Sequence, residues 1–227
     1  MPGIACAAVG RLVVIEGLDG AGKRTVADAV ATALTGRGAR VGRMAFPRYD
    51  IDVHASLVRD ALYGRLGDLA GSVHGMAVLF ALDRHGAADE LRALCRHHDV
   101  VLVDRYVASN AAYGAARLDE DADGTFVEWV RGLEVDRFGV PVPDVQLLLR
   151  VPVPVAGARA DGRAAADNAR PKDLYELDAG LQARCAAVYD GLAAAGWLAP
   201  WLVIDGAAAT GGTSPTPSDV ALRMLGG

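Results

Sequence analysis

Short aliphatic runs alternate with longer amphipathic segments along the chain, and this alternation constrains the fold more than any other feature of the sequence. Five strands are predicted, by the runs RLVVIEG, RVGRMAF, DVVLVDRY, DVQLLLRV and WLVID. Segments of helical length lie between them, at 72–95, 109–117, 125–138 and 173–191. Because parallel strands need a crossover connection, the pattern predicts an α/β fold with a five-stranded parallel sheet flanked by helices. Ligands bind such sheets at the carboxyl ends of the strands.

The domain organisation follows from length and composition. The chain has 227 residues, 52% of them hydrophobic, which is enough to bury one core. We therefore predict a single domain over residues 1–227. Two segments interrupt the alternation: 157–172 is polar and contains several arginines, and 206–218, rich in Gly, Ala, Thr and Pro, predicts a flexible C-terminal connector.

Charge and cysteine content exclude several classes of function. The net charge of −5 argues against a protein that grips nucleic-acid backbones, although it leaves room for a local cationic pocket that binds a small phosphate ester. The three cysteines form no CxxC pair and suit a reducing compartment. No apolar run reaches the length of about 20 residues that a spanning helix needs. We expect a cytoplasmic protein without nucleic-acid or membrane partners.

The segment GLDGAGKRT, residues 17–25, lies between the first predicted strand and a helical pattern. It follows the phosphate-loop pattern G-x-x-x-x-G-K-[ST] except at the last position, where arginine replaces the hydroxyl residue. Glycines let such a loop turn its N–H groups inward, and the helix dipole adds positive potential. An ordinary glycine-rich turn is the alternative. The predicted nucleotide-binding residues are Gly17, Gly20, Ala21, Gly22, Lys23, Arg24 and Thr25.

Arg24 allows two interpretations, which the sequence leaves open. It is either a solvent-facing helix residue or a cation that stabilises charge on transferred phosphates. Without the usual hydroxyl, Mg²⁺ would depend on phosphate oxygens, water and nearby carboxylates. The candidate metal ligands are Asp19, Asp104 and Glu176.

Two further motifs carry chemistry. Arg105 follows the third strand and can clamp a phosphate with two parallel hydrogen bonds, while Asn110 and Tyr113 share one helix face. In FALDR, Phe80 and Arg84 are four residues apart and offer a flat ring beside a fork of donors, which suits a planar base with carbonyl oxygens. Simple packing is the alternative for each aromatic residue.

Taken together, these motifs resemble the thymidylate kinase family over nearly the whole chain. GLDGAGKRT, FPRY, FALDR, DRYVASNAAY and a later YE occur in the family's order and spacing, and the combination is most similar to the actinobacterial branch. The resemblance implies a P-loop NTPase fold with a mobile arginine-bearing lid. It also implies phosphoryl transfer from ATP to dTMP, with Mg²⁺, in a homodimer.

The resemblance assigns roles in the acceptor site. Phe80 would stack on thymine, Arg84 would donate to the O4 carbonyl, and Asn110 would support the base and its arginine. Tyr113 would exclude a 2′-hydroxyl, and Asp19 would meet the 3′-hydroxyl. The dTMP phosphate and the pocket walls are assigned to Arg105, Tyr49, Phe46, Pro47 and Leu62.

The segment 157–172 resembles the family's lid, whose arginines close over the ATP phosphates. Glu176 resembles a lid carboxylate near the acceptor phosphate. Ala166 stands where a relative would carry another arginine, so the decisive lid arginine stays open. The predicted catalytic residues are Asp19, Lys23, Arg24, Arg105, Arg159, Arg163, Arg170 and Glu176.

Three other functions compete with this interpretation. A deoxynucleoside kinase needs a carboxylate base for its neutral hydroxyl acceptor. A GTPase-type switch needs a guanine-reading NKxD-like motif, which the sequence lacks. A catalytically weak homologue would bind dTMP without turning it over.

Overall fold

Five parallel strands form the centre of the molecule, in the order β2-β3-β1-β4-β5. The computed structural model describes residues 10–166, 172–206 and 215–226. The strand bounds are β1 Arg11–Glu16, β2 Val41–Ala45, β3 Val100–Asp104, β4 Val145–Arg150 and β5 Trp201–Asp205. Each neighbouring pair is parallel, so the predicted five-stranded α/β sheet is confirmed.

Helices cover both faces of the sheet. Their bounds are α1 Lys23–Thr35, α2 Val53–Leu62, α3 Val73–His97, α4 Val107–Arg117, α5 Thr125–Arg131, α6 Val153–Ala166, α7 Leu174–Leu177, α8 Ala179–Ala195 and α9 Pro217–Leu225. A 3₁₀-helix spans Gly67–Gly71 and a π-helix spans Gly132–Arg137. No helix within the described ranges has the length and apolar character that crossing a membrane requires.

The helical predictions need several corrections. The helix predicted over 125–138 changes at Gly132 from α to π geometry. The helix predicted over 173–191 is two helices, since Asp178 ends α7 and caps α8. Neither α2 nor α9 was predicted, and the last two residues of the expected connector 206–218 already belong to α9. Residues 207–214 of that connector lie outside the described residues.

The segment 157–172 is the largest correction. Its first ten residues continue α6, which begins at Val153 and ends at Ala166. Alanine is the strongest helix former, and the run ADGRAAA outweighs its single interior glycine. Residues 167–171, including the predicted lid residue Arg170, lie outside the described part of the chain. The described part of this segment is therefore helical and carries Arg159 and Arg163, while its role as a lid stays a prediction.

The sheet register brings the site residues to one edge. Ile15 pairs with Asp104 across β1 and β3, so the loops that follow these strands start side by side. The interiors of the central strands β1, β3 and β4 are buried on both faces, as expected for a parallel sheet between helical layers, whereas the edge strands β2 and β5 are partly exposed. The edge is consequently a fixed platform, and the two loops on it can hold partners at constant spacing.

Candidate functional site

The loop between β1 and α1 turns through left-handed glycines. The φ angle is 77° at Gly20 and 94° at Gly22, a region that side chains disfavour. Gly22 is the N-cap of α1, and no side chain accepts a hydrogen bond there. The first N–H groups of a helix have no partner within the helix. Such free N–H groups suit an anion, and the binding of phosphate at this nest stays a prediction.

The same loop packs directly on the lid helix. A Cβ added to Gly20 would lie 2.0 Å from the Ala156 carbonyl oxygen and 3.1 Å from the Ala160 nitrogen. Both atoms belong to the backbone of α6, which cannot move away as a flexible side chain would. Gly20 is therefore required by this close approach as well as by its backbone angle.

Lys23 lies folded over the loop. Its Nζ donates to the carbonyl oxygens of Gly17, at 3.0 Å, and Leu18, at 2.9 Å. Burial and, next, the nearby positive charge of Arg105 together lower the pKa of Lys23 to about 8. This ammonium group is held where charged phosphates at the nest would favour its protonated form.

Asp19, Arg105 and Tyr113 meet beside the loop that follows β1, and their contacts to a substrate stay predictions. Arg105 Nη2 donates to Asp19 Oδ1 at 2.5 Å, and the Tyr113 hydroxyl donates to Oδ2 at 2.8 Å. Burial by itself raises the pKa of Asp19, but Arg105, Lys23 and the Tyr113 hydrogen bond hold it well below its usual value. The carboxylate therefore ties the phosphate loop to the segment after β3.

Glu16 supports this arrangement, and sequence reasoning missed it. Its buried carboxylate accepts hydrogen bonds from the Tyr106 backbone N–H at 2.8 Å, the Ser109 hydroxyl at 2.6 Å and the Tyr189 hydroxyl at 2.9 Å. The contacts to Tyr106 and Ser109 fix the chain directly after Arg105, whose φ of 63° is unusual for a non-glycine residue. A lone acidic residue ending an apolar strand was the available signal.

A second group of predicted residues surrounds the base side. Tyr49, Leu62 and Phe80 belong to one small apolar cluster between α2 and α3. Phe80 is half-buried and keeps part of its ring surface exposed. The Arg59 guanidinium lies 5.7 Å from the centre of the Tyr49 ring. The structure thus brings these three residues together, while their individual contacts to a substrate remain predictions.

Arg84 and Asn110 converge on a buried carboxylate that the sequence did not reveal. Arg84 Nε and Nη2 donate to Glu134 at 2.5 and 2.7 Å, and Asn110 Nδ2 donates to Glu134 at 2.8 Å. Glu134 is fully buried and lies in the π-helix. A signal was present, since Glu134 follows Val130 by four residues on the buried stripe of this helical segment.

The FPRY segment is anchored by the residue that precedes Arg84. Arg48 donates from its backbone N–H and its Nε to Asp83, at 2.9 and 2.8 Å. Phe46 is buried, with its ring 5.8 Å from that of Tyr106, and its peptide bond to Pro47 is cis. Motifs far apart in sequence are therefore joined by a buried ion pair, and Asp83 and Arg84 serve different neighbours.

The lid helix places its two described arginines differently. Arg159 Nη1 donates to the Ala21 carbonyl oxygen of the phosphate loop at 3.4 Å, and its Nη2 donates to Gly206 at 3.3 Å. Arg163 instead donates to Glu176, whose other oxygen accepts from the Asp173 backbone N–H at 3.3 Å. Of the described lid arginines, Arg159 is therefore the one at the phosphate loop.

Tyr175, beside Glu176, closes the acceptor side. Its ring stacks on that of Tyr113 with 6.1 Å between centroids and 25° between planes. The Arg117 guanidinium also lies against this ring, 4.9 Å from its centre, and donates to the Tyr175 hydroxyl. Short helix α7 thus brings the YE pair of the lid against α4.

The three candidate metal ligands differ in how they are engaged. Asp19 is paired with Arg105 and Glu176 with Arg163. Asp104 Oδ1 is buried, and no hydrogen bond to it is found within the described ranges. No three His, Cys, Asp or Glu side chains among the described residues form a metal-binding group. A site for Mg²⁺ with one or two carboxylates and several waters fits this arrangement.

Arg24 and Thr25 lie at the start of α1, and both side chains are exposed. Neither is part of the core, so each is free of packing constraints on this first turn. The two interpretations of Arg24 therefore stay predictions.

Comparisons with known proteins agree with this geometry. The family model described as thymidylate kinase matches residues 15–186. Thymidylate kinase of Mycobacterium tuberculosis is 53% identical over 193 residues, which are 85% of this chain and 90% of the relative. Thymidylate kinase of Xanthomonas oryzae pv. oryzae is 38% identical over 186 residues, 81% of this chain and 72% of the relative. A solved structure of thymidylate kinase from Candida albicans shares the fold, with a TM-score of 0.66 at 21% identity, covering 95% of this chain and 89% of the other.

Proposed function

The chain belongs to the thymidylate kinase family, and we propose that it transfers the γ-phosphoryl group of ATP to dTMP, giving ADP and dTDP. The observation that carries the proposal is the Arg105–Asp19 ion pair, which joins an anion nest to an acceptor pocket. A phosphomonoester at Arg105 would lie on the same sheet edge as the γ-phosphate. Phosphoryl transfer depends mainly on holding the attacking phosphate oxygen in line with the γ-phosphoryl group and on stabilising charge, and little on covalent chemistry by the protein.

The donor side consists of the glycine nest, Lys23 and Arg159. Their N–H groups and charges surround the outer phosphates of ATP, where negative charge shifts during transfer. Pre-oriented cations stabilise that shift without having to reorganise. Because α6 packs on Gly20, its arginine is placed against the loop by backbone contact and not only by its long side chain.

The acceptor side holds the nucleotide in three places. Arg105 and Tyr49 take the phosphate, Asp19 and Tyr113 border the sugar, and the base lies against Phe80. The phosphate of dTMP is already a dianion near neutral pH, since its second pKa is about 6. It attacks directly, so no general base is needed and positioning with charge neutralisation supplies the catalysis.

Mg²⁺ is the metal that we propose for this reaction, with Asp104 as its protein ligand, directly or through water. An acceptor-only oxygen that is buried beside the phosphate loop suits a hard cation. When bound, the ion would neutralise charge on the ATP phosphates. Asp19 and Glu176 would contribute through water or by exchanging their present arginine partners.

We further propose a homodimer in the cytoplasm. The exposed apolar side chains of Ile51, Val53 and Leu57, on and before α2, support a protein interface. The buried free thiols of Cys95 and Cys185 support a reducing compartment. Light scattering on the purified protein checks the dimer, which a monomer at micromolar concentration would contradict.

The function is tested by ADP release with dTMP, dUMP, dCMP, AMP, GMP and thymidine as acceptors and with ATP or GTP as donor. We expect dTMP to be the best acceptor. Turnover of thymidine with none of dTMP would instead indicate a deoxynucleoside kinase, and preference for a purine monophosphate would refute the proposal. Lys23→Ala is the matched inactive control, expected to lower kcat by about 100-fold or more because phosphate charge is left uncompensated.

A further inference from the structure

We infer that Glu134 determines which hydrogen-bonding pattern of the base the site accepts, because it orients both Asn110 and Arg84. The inference rests on the proposed function and names a positioning residue for base selectivity. The role of Glu134 is to decide which atoms of its two partners remain available to the base.

The orientation of the Asn110 amide follows from its neighbours. Its Nδ2 donates to Glu134 Oε1 at 2.8 Å and to the Ala77 carbonyl oxygen at 3.0 Å. A carboxylate and a backbone carbonyl only accept hydrogen bonds, so the amide nitrogen must face them. The reversed amide would place an oxygen against two acceptors in a buried setting. Asn110 therefore presents its Oδ1, an acceptor, as its remaining polar atom.

Arg84 is oriented by the same carboxylate. Its Nε and Nη2 form the bidentate pair with Glu134, which leaves Nη1 as the nitrogen that Glu134 does not engage. The guanidinium is planar and only donates, so Nη1 presents a donor in a fixed direction. Both side chains are nearly fully buried and have little freedom to rearrange.

One donor beside one acceptor matches thymine and opposes cytosine. Thymine offers an acceptor at O4 and a donor at N3–H. Cytosine offers a donor at the amino group on C4 and an acceptor at N3. Against cytosine, the Arg84 donor would face the amino group on C4 and the Asn110 oxygen would face the N3 acceptor. Neither pair could form a hydrogen bond, and buried unpaired polar groups discriminate strongly between substrates. Uracil has the same pattern as thymine, so Glu134 does not separate dTMP from dUMP.

The π-helix explains how Glu134 reaches this position. In π geometry the hydrogen bonds span five residues, and such segments recur at functional sites. Glu134 lies fully buried within Gly132–Arg137, directly after the regular helix α5 ends at Arg131. The local widening therefore turns a carboxylate toward the base side from a helix that otherwise buries apolar residues.

The test replaces Glu134 by glutamine. The introduced amide offers one acceptor and one donor in place of two acceptors. Only the Ala77 carbonyl oxygen then still fixes the Asn110 amide, so the reversed orientation, with the Asn110 nitrogen toward the base, gains population. We expect the ratio of kcat/KM for dCMP to that for dTMP to rise by about 10-fold or more. Glu134→Asp keeps a carboxylate and should retain the wild-type ratio at reduced activity.

Asp83→Asn is the matched control, because Asp83 is also a buried carboxylate paired with an arginine, Arg48, and directly precedes Arg84. It should lower stability and activity while leaving the dCMP to dTMP ratio unchanged. If Glu134→Gln folds by circular dichroism and loses activity on both nucleotides in equal proportion, the inference is wrong. A wild-type enzyme without dTMP activity would instead refute the proposed function.

A measurement on the wild-type protein covers the case in which Glu134→Gln does not fold. With nitrogen-15 in asparagine, NMR should show slowly exchanging Asn110 side-chain amide protons whose shifts change little when dTMP binds, because they face Glu134 and Ala77. Large shifts of these protons on binding dTMP would show that the amide nitrogen contacts the base. That outcome would overturn the inference without any variant.

Discussion

Arg105 Nη2 lies 2.5 Å from Asp19 Oδ1, so two residues that are 86 positions apart join the loop after β3 to the loop after β1. The Tyr113 hydroxyl also donates to Asp19, so one carboxylate accepts hydrogen bonds from both Arg105 and Tyr113. The pair is only slightly exposed, so solvent screens it weakly. Arg105 is therefore held in position by Asp19, a residue of the loop after β1.

Replacing Asp19 by asparagine tests this coupling. The amide keeps the size of the side chain but loses the charge that orients Arg105, so we expect kcat/KM for dTMP to fall by about 10- to 100-fold. Steady-state kinetics measure it. Asp28→Asn removes an exposed ion pair with Arg43 and should leave kcat/KM within twofold. Equal effects of the two changes would contradict the coupling.

The lid arginines should separate in a kinetic comparison. Arg159→Ala removes a cation at the phosphate loop, so we expect kcat to fall by about 100-fold with little change in KM for dTMP. Arg163→Ala removes the partner of Glu176 and should act mainly on KM for dTMP, through a less ordered lid. Identical kcat losses for both variants would show that the described helix does not separate their roles.

Gly20 offers a test of the loop–lid contact. Gly20→Ala places a methyl group 2.0 Å from the Ala156 carbonyl oxygen at a positive φ. We expect the free energy of unfolding to fall by about 2 kcal/mol or more and activity to be lost. Gly162 lies in α6, and a methyl group added there meets no atom within 4 Å, so Gly162→Ala should raise the free energy of unfolding by roughly 0.5 to 1 kcal/mol. Thermal and urea unfolding measure both changes.

The sheet and the phosphate loop could be predicted because local sequence determines them. Short aliphatic runs between helical segments form buried parallel strands, and the glycines of GLDGAGKRT occupy the turn positions of the loop. The extent of α6 could not be predicted, because polar arginines and two glycines in 157–172 conceal the helix-forming alanines. Helix propensity and the packing of Gly20 on Ala156 outweigh those local signals.

Candidate site residues could be found from the sequence where they belong to a short motif. Buried residues whose contacts lie far away in the sequence could not. Arg84 was identified by its spacing from Phe80, yet its partner Glu134 lies 50 residues away in the sequence. Glu16, likewise, looks like any acidic residue at the end of a strand. Long-range pairs of buried charges leave no periodic trace, because only the folded chain brings the two partners together.

Lys23 gives a prediction about protons. Its folded pKa of about 8 lies below the ordinary value of 10.5, chiefly because the ammonium group is buried. Between these two values the unfolded chain binds a proton that the folded chain has released, so stability should rise with pH across this window. Below the lower value the cost of burying the charge is present in full. Lys23→Met should remove this dependence of the free energy of unfolding on pH.

ATP binding should reverse the shift, since polyphosphate beside Lys23 favours the charged form. At a pH between the two values, the complex should therefore take up a proton that the free protein lacks. Calorimetric titration with ATP in two buffers of different ionisation enthalpy measures this uptake. The Lys23→Met variant should bind ATP more weakly and without this proton uptake. Equal proton uptake by the wild type and the variant would show that another group near the phosphates titrates.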